Sequence, residues 1–528
     1  MKIEQYGSNT LIRYYDCNCE VLSNPKSIDR YMREAATKIN KAIIDSVFHI
    51  FNPYGVSVVV NIKEARLTIY TFPGYGYAVV SLIAHGSTIN PEPAFKYLNE
   101  HLKVITCGTR SIGIILSILG SAGGVAKSVL SLLNKAIHDN NDPIHYLLKS
   151  CNIHLIDCKQ KGMDYYERLF PNLQDKITLY EINLNDTNKF KAHLKKTRTT
   201  HVIDVSYADT VEMLRCCNEC KVVYINSAFE NTSVDKNADL EGFTLQERYK
   251  IYEYYKPEFS NTTAIICSGM NPGVVQWMAV KLIKELPNEM PQGCYIVEED
   301  TSFYEDESIA DKDTIYSTWS PVCFLDEAIL SYPAFMKEHM SIFLYKEVYE
   351  LQLKVTLGEK QFYGCLMPHE EAIMLGKLFD IESGFIYKVN EHTTNLIKNN
   401  LGNLDCLWNK PMKVLDPVDA PLKGQDLVGV LLVYKDKERY MYNVSDNKEI
   451  FSKYGTNATY FQVACGIYGA LATVLLDDIP QGIYYVDELI YKTNSKYGEY
   501  LSYYMEKFII GENKHVDGDL LHRIKKDR

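Results

Sequence analysis

Residues 120–126 read Gly120-Ser121-Ala122-Gly123-Gly124-Val125-Ala126, between an apolar run over 112–119 and an amphipathic segment over 124–136. Few folds use a strand that turns through glycines into a helix. Glycine lets the backbone bend tightly and approach a ligand's diphosphate, a small residue lets helix close on strand, and the helix N-terminus aims free N–H groups at the phosphates. Gly123 and Ala126 fit the second and third of these roles. Strict spacing would put the first glycine at Ser121, so either Gly120 serves or the turn is one residue longer. Asp157 closes a second apolar run over 153–157, where a carboxylate would hold the free ribose hydroxyls and favour NAD over NADP. It lies farther along the chain than the roughly 20 residues usual for the motif, which a second helical piece over 142–149 can absorb. Gly120, Gly123, Gly124, Ala126 and Asp157 are thus the candidate cofactor residues, and NAD is the candidate cofactor.

Around this turn, apolar runs over 112–119, 152–157, 177–181, 201–205 and 222–226 alternate with helical segments such as 124–136 and 208–217. Alternation of that kind predicts a parallel sheet covered by helices. Residues 1–107 read differently, as a small α+β unit. Ile28, Met32, Ala35, Ile39, Ile43 and Val47 predict a helix over 27–48, followed by strands over 56–62, 67–72 and 77–84 and a helix over 92–102. Residues 236–450 mix strand-like runs (263–267, 293–297, 351–357, 427–434) with loops rich in acids and aromatics, and 456–476 reads as a long apolar helix. The expected fold is therefore α/β: a Rossmann-type nucleotide domain over 110–235, completed by about 451–500, and an α+β catalytic domain over 236–450. The small domain over 1–107 precedes both.

A formal net charge of −11 argues against nucleic acid as partner and suits a cationic ligand. The fourteen cysteines form no disulfide-like framework, and the first fifteen residues hold no apolar leader, which predicts reduced thiols in the cytoplasm. Cys217 and Cys220 form a single Cys-x-x-Cys with no second pair, so no metal site is expected. The uncharged stretch over 111–126 falls short of the roughly 20 residues that cross a bilayer, and no membrane association is expected.

Four segments of the third stretch collect acids, amides and proton carriers: Gly269-Met270-Asn271-Pro272-Gly273, Val297-Glu298-Glu299-Asp300-Thr301, Ser317-Thr318-Trp319-Ser320 and Pro368-His369-Glu370-Glu371-Ala372. Carboxylates and an indole face suit a protonated amine, and a histidine can move protons near neutral pH. Singly, each also reads as ordinary structure: a core tryptophan, solvated acids, a turn.

Two family resemblances organise these observations. Residues 45–57 (Asp-Ser-Val-Phe-His-Ile-Phe-Asn-Pro-Tyr-Gly-Val-Ser) and 64–73 (Glu-Ala-Arg-Leu-Thr-Ile-Tyr-Thr-Phe-Pro) resemble the bacterial S-adenosylmethionine decarboxylases. In that family a serine following glutamate becomes the pyruvoyl group after self-cleavage. Ala65 stands at that serine, and Tyr70 and His85 stand at the family's next histidine and its catalytic cysteine. The resemblance thus implies an uncut, non-decarboxylating domain with a role in oligomerisation or ligand retention, and a homodimer is the expected assembly.

From about Ile112 to Leu489 the four segments, with Ile225-Asn226-Ser227-Ala228-Phe229-Glu230, Asp426-Leu427-Val428-Gly429-Val430-Leu431-Leu432 and Asn457-Ala458-Thr459-Tyr460-Phe461-Gln462-Val463, resemble bacterial homospermidine synthase. That resemblance implies a saccharopine-dehydrogenase-like fold with tightly held NAD. It further implies that a putrescine-like diamine is oxidised, condensed with a second diamine with loss of ammonia, and re-reduced. By the same resemblance Glu298, Trp319 and Glu327 line the diamine channel, Asn271, His369 and Glu371 surround the reacting carbon, and Glu230 sits near the nicotinamide. The chain departs from the family at Pro321 and Glu370, and it lacks a Pro-Cys-Asp segment near 390–394, which leaves the identity of the diamine open. A reductase joining amine to aldehyde, and a catalytically silent polyamine-binding protein, remain the alternative readings.

Overall fold

A computed structural model describes residues 2–6, 9–14, 17–39, 42–51, 55–73, 76–84, 89–102 and 114–525. The chain divides into two compact units, Met1–Ile112 and Gly113–Arg528.

The first unit is an antiparallel sheet of six strands: β1 (Lys2–Tyr6), β2 (Asn9–Tyr14), β3 (Ile43–Phe51), β4 (Gly55–Ile62), β5 (Ala65–Phe72) and β6 (Tyr77–Ala84), in the order β1-β2-β6-β5-β4-β3. Alternate residues of β4, β5 and β6 (Val58, Val60, Leu67, Ile69, Val80, Leu82) pack with Ile28, Met32 and Ala35 of helix Pro25–Lys38 and with Phe95 and Leu98 of helix Glu92–Leu102. The helix predicted over 27–48 is shorter than its spacing suggests. It starts under an Asn24 cap with Pro25 in its first turn and ends at Lys38, and Ile43–Phe51 is an edge strand. Cross-strand pairing such as Val47 with Val59 fixes the register of this β-branched segment, and that tertiary pairing overrides the helical period. β1 and β2 were not expected. Of the positions read as punctuation or as family counterparts, 53, 54, 74, 85 and 112 lie outside the described residues.

The second unit is built on seven parallel strands. β7 (Ile115–Leu119), β8 (Asn152–Asp157), β9 (Ile177–Glu181), β10 (His201–Asp204), β11 (Val223–Asn226) and β12 (Ala264–Ile266) are joined by strand Ile483–Tyr485. Their spatial order is β9-β8-β7-β10-β11-β12 followed by Ile483–Tyr485. Chain order thus reads 3-2-1-4-5-6-7, the doubly wound Rossmann arrangement, and the direction reverses between β7 and β10. β12, expected in the catalytic region, is the sixth strand of this sheet. Helix Ala458–Leu476 packs on helix Gly124–Ala136, as the apolar segment over 456–476 predicts. It is the one helix among the described residues long and apolar enough to span a bilayer, and 72% of that stretch is buried inside the protein. A Cβ at Gly466 would come within 2.0 Å of the Gly269 carbonyl oxygen, so glycine there lets the helix close on the loop after β12.

Nine of the remaining strands form a mixed sheet around β13 (Gly293–Asp300), and four shorter ones form two separate pairs. β13 pairs in parallel with Glu382–Lys388 and antiparallel with Gln425–Val433. It runs three residues beyond the predicted 293–297, and the extension carries Glu298 and Asp300.

Candidate active site

At the glycine turn, Gly120 leaves β7 with a left-handed φ of 71°, and a Cβ there would lie 2.7 Å from the Val205 carbonyl oxygen beyond β10. Gly120 therefore takes the tight-turn role at the switch point, and the turn is one residue longer than the strict motif. Gly123 is the N-cap of helix Gly124–Ala136, and the wholly buried Ala126 lets that helix close on the sheet. Gly124 lies under the Tyr460 ring, whose nearest carbon would be 2.2 Å from a Cβ. Asp157, at the end of β8, accepts the Ala122 N–H at 3.1 Å and the Lys159 N–H at 3.0 Å. Its carboxylate is thus held beside the turn. A glycine cradle, a free helix N-terminus and an acid after the second strand together fit a dinucleotide with an unphosphorylated ribose.

The acidic residues gather on β13, at the start of helix Glu370–Phe379 and on the turn Asp326–Leu330. On β13, Glu298 accepts the Asn271 side-chain N–H at 2.6 Å. Burial raises the Glu298 carboxyl to about 8, with Asp300 adding to the shift and the Asn271 hydrogen bond opposing it. His369 is the N-cap residue of helix Glu370–Phe379 and bonds through Nδ1 to the wholly buried Glu371. Its Nε2 lies 3.8 Å from Glu327, and Nδ1 lies 3.4 Å from Glu370. Burial alone would discharge His369, yet Glu371, Glu327 and Glu370 outweigh it and hold the imidazole protonated well above its usual range. Glu327 sits on a π-helical turn, Asp326–Leu330, and burial raises it to about 8. Trp319 donates its indole N–H to the Tyr387 hydroxyl at 3.4 Å. The donor atoms of His369, Glu370 and Glu371 lie within 4.8 Å of one another, a spacing that a divalent cation could also use.

Glu230 follows β11 by four residues, on the crevice side of the nucleotide sheet. Its carboxyl makes no hydrogen bond among the described residues, and burial raises it to about 8 against the pull of Arg248. The charge of Glu370 reaches Glu230, and both Glu230 and Glu327 act on Cys323, which links this end to the His369 cluster. The predicted acids, Asn271 and His369 thus fall into one connected group, with Trp319 joined through Tyr387. Sequence reasoning assigned no role to Asp300 and Asp426, although both stand in segments singled out above. They are cross-strand partners, both buried. Glu370 proves to be structural as well as acidic, since it accepts the Phe229 N–H at 3.3 Å.

The sequence profile of the S-adenosylmethionine decarboxylase family matches residues 8–112. The S-adenosylmethionine decarboxylase proenzyme of Thermosipho melanesiensis is 45% identical over 101 residues, covering 19% of this chain and 78% of that protein. The proenzyme of Thermotoga maritima is 42% identical over 101 residues, with the same shares. Through this N-terminal unit the chain belongs to the S-adenosylmethionine decarboxylase family. In this decarboxylase-family unit Ala65 is buried and begins β5, paired with Ile62 across the two-residue turn Lys63-Glu64. Tyr70 is exposed on the same strand, and His85 lies outside the described residues. Solved structures are matched too. The adenosylmethionine decarboxylase of Aquifex aeolicus is 19% identical, covering 19% of this chain and 94% of that chain with a TM-score of 0.17. The UDP-glucose 4-epimerase of Thermus thermophilus in complex with NAD is 13% identical, covering 37% of this chain and 68% of that chain with a TM-score of 0.20.

Proposed function

We propose that residues 113–528 form an NAD-dependent enzyme acting on a diamine, with the redox-neutral amine transfer of a homospermidine synthase. One observation carries this reading. Glu327, Glu370, Glu371 and Glu298 act on a single imidazole, Asp300 and Asp426 adjoin Glu298, and none of the six forms an ion pair with lysine or arginine among the described residues. Burying a charge without a partner is costly, so a cluster of this kind suits a cationic ligand that supplies the missing charge. Two amines on a flexible chain match acids spread from the end of β13 to Glu327. The indole of Trp319 adds a face for an ammonium group.

The glycine turn and Asp157 would hold NAD, which when bound supplies reversible hydride acceptance. The chain's own residues would do the rest. Asn271 fixes the Glu298 carboxylate, and Trp319 and Glu327 orient the amine. His369, kept charged by its three acids, can deliver a proton to departing ammonia and recover it from the attacking amine. Glu230, protonated near neutral pH, can stand beside the cofactor's reactive end without repelling hydride transfer.

The test is to purify the full chain, assay for bound NAD, and analyse products from putrescine with catalytic NAD. Many turnovers without lasting NADH are expected. Product only in proportion to added NADH would point to a reductase, and no product under any cofactor condition to a binding protein.

A further inference from the structure

Four side chains join the ends of β13 and strand Gln425–Val433. Asp426 Oδ2 lies 2.6 Å from Thr459 Oγ1, Thr459 Oγ1 lies 2.8 Å from Thr318 Oγ1, and Thr318 Oγ1 lies 2.6 Å from Asp300 Oδ2. Each is a hydrogen-bond distance between oxygens. The row contains three links, but its two hydroxyls carry only two protons, and ionised carboxylates donate none. With both acids charged, one link would set two oxygen lone pairs face to face. The row closes only if one carboxyl holds a proton. With Asp426 protonated, it donates to Thr459, Thr459 to Thr318, and Thr318 to Asp300. With Asp300 protonated, all three bonds reverse.

Asp426 is wholly buried, and its other oxygen, Oδ1, has no partner. Asp300 is anchored by the Ser302 N–H at 2.8 Å. The groups facing the row add no positive charge. Glu298 comes from β13 and Tyr387 from strand Glu382–Lys388, and the nearest cation acting on Glu298 is His369.

We propose that Asp426, Thr459, Thr318 and Asp300 form a two-state proton relay holding one shared proton, which is released when an ammonium group enters beside Asp426. The release step rests on the diamine reading above; the relay itself does not. The balance is simple. The ligand-free row carries one proton and one negative charge. A cation arriving at Oδ1 favours the doubly ionised pair, the proton passes to solvent, and one ligand charge replaces it. Diamine affinity therefore rises with pH until the row is empty.

Two measurements test this. Infrared spectra of the ligand-free full chain should show one protonated carboxyl fewer in Asp426→Asn than in wild type, because an asparagine amide donates permanently to Thr459 and lets Asp300 stay ionised. Asp300→Asn is the same test from the other end, should either variant fold poorly. Calorimetry of putrescine binding in two buffers of different ionisation enthalpy should show Asp426→Asn releasing one proton fewer per ligand than wild type. An unchanged carboxyl band in both asparagine variants overturns the relay, and equal proton release overturns the release step. Failure of wild type to bind putrescine would sink the diamine reading and the release step, while the infrared result would still decide the relay.

Discussion

Replacing Glu298 with glutamine tests whether the acid cluster awaits a cation. Glutamine keeps the shape and can still accept the Asn271 N–H, so the change removes charge and little else. In the folded chain the Glu298 carboxyl is raised to about 8, while an unfolded carboxyl titrates near 4.3. The folded state therefore holds the proton over a window where the unfolded chain has lost it. Its contribution to stability falls as pH rises through that window and levels off above about 8. At about 1.4 kcal/mol per pH unit, moving from pH 6 to pH 9 removes roughly 3 kcal/mol through this one group. At about 2.1 cal/mol/K per residue, a unit spanning residues 113–528 has an unfolding entropy of roughly 0.9 kcal/mol/K, so the wild-type Tm should fall about 3 °C more than that of Glu298→Gln. Putrescine at about 100 times its Kd adds roughly 2.7 kcal/mol, or about 3 °C. That gain should grow from pH 6 to pH 8.5 in wild type and be largely lost in the variant. Differential scanning fluorimetry over this pH range, with and without putrescine, reads all four curves. Parallel curves for the two proteins, with equal putrescine shifts, would refute the reasoning.

Intact mass should give a single 60.5 kDa chain, because alanine at position 65 lacks the hydroxyl needed for an N-to-O acyl shift and sits within a continuous hairpin; fragments joined at Glu64–Ala65 would contradict it. Asp157→Ala should relax a preference for NAD over NADP, measured as the ratio of dissociation constants, and a wild type that binds NADP more tightly would remove Asp157 from the ribose. Trp319→Leu should weaken putrescine use by roughly 2- to 30-fold in kcat/KM with dinucleotide affinity unchanged, since a cation over an indole is worth about 0.5–2 kcal/mol. A lowered Tm with unaltered kinetics would make Trp319 a packing residue only.

The nucleotide sheet was legible because its signals are local. Helix Gly124–Ala136 and strands Asn152–Asp157 and Ile177–Glu181 stand where the apolar runs and the glycine turn put them. The first unit shows the opposite case. Ile39, Ile43 and Val47 continue the period of the preceding helix by coincidence, and no glycine or proline over 39–47 interrupts it, so only pairing with β4 reveals a strand. The site divides in the same way. Asn271, Glu298, His369 and Glu371 stood out as chemical groups in short segments. The partnership of Asp300 with Asp426 depends on two strands distant in the chain meeting in register, and the reach of Glu370 to the Phe229 N–H depends on a helix start meeting a loop distant in the chain. Neither leaves a mark in local spacing.

Helix Ala458–Leu476 and strand Ile483–Tyr485 set the timetable of synthesis. The helix covers Gly124–Ala136, and the strand closes the open side of β12, yet both are made after every other strand of the nucleotide sheet. A ribosome adding about 5–20 residues per second needs on the order of 15–65 s for the roughly 320 residues between the two helices. Throughout that interval the apolar side of Gly124–Ala136 lacks its cover, and from its own synthesis until that of Ile483–Tyr485 β12 offers an unpaired edge, a surface prone to association with other chains. A nascent chain stalled before residue 458 would thus expose a half-finished nucleotide domain, and release from chaperones should coincide with translation of Ala458–Leu476 and Ile483–Tyr485 rather than with completion of the glycine turn.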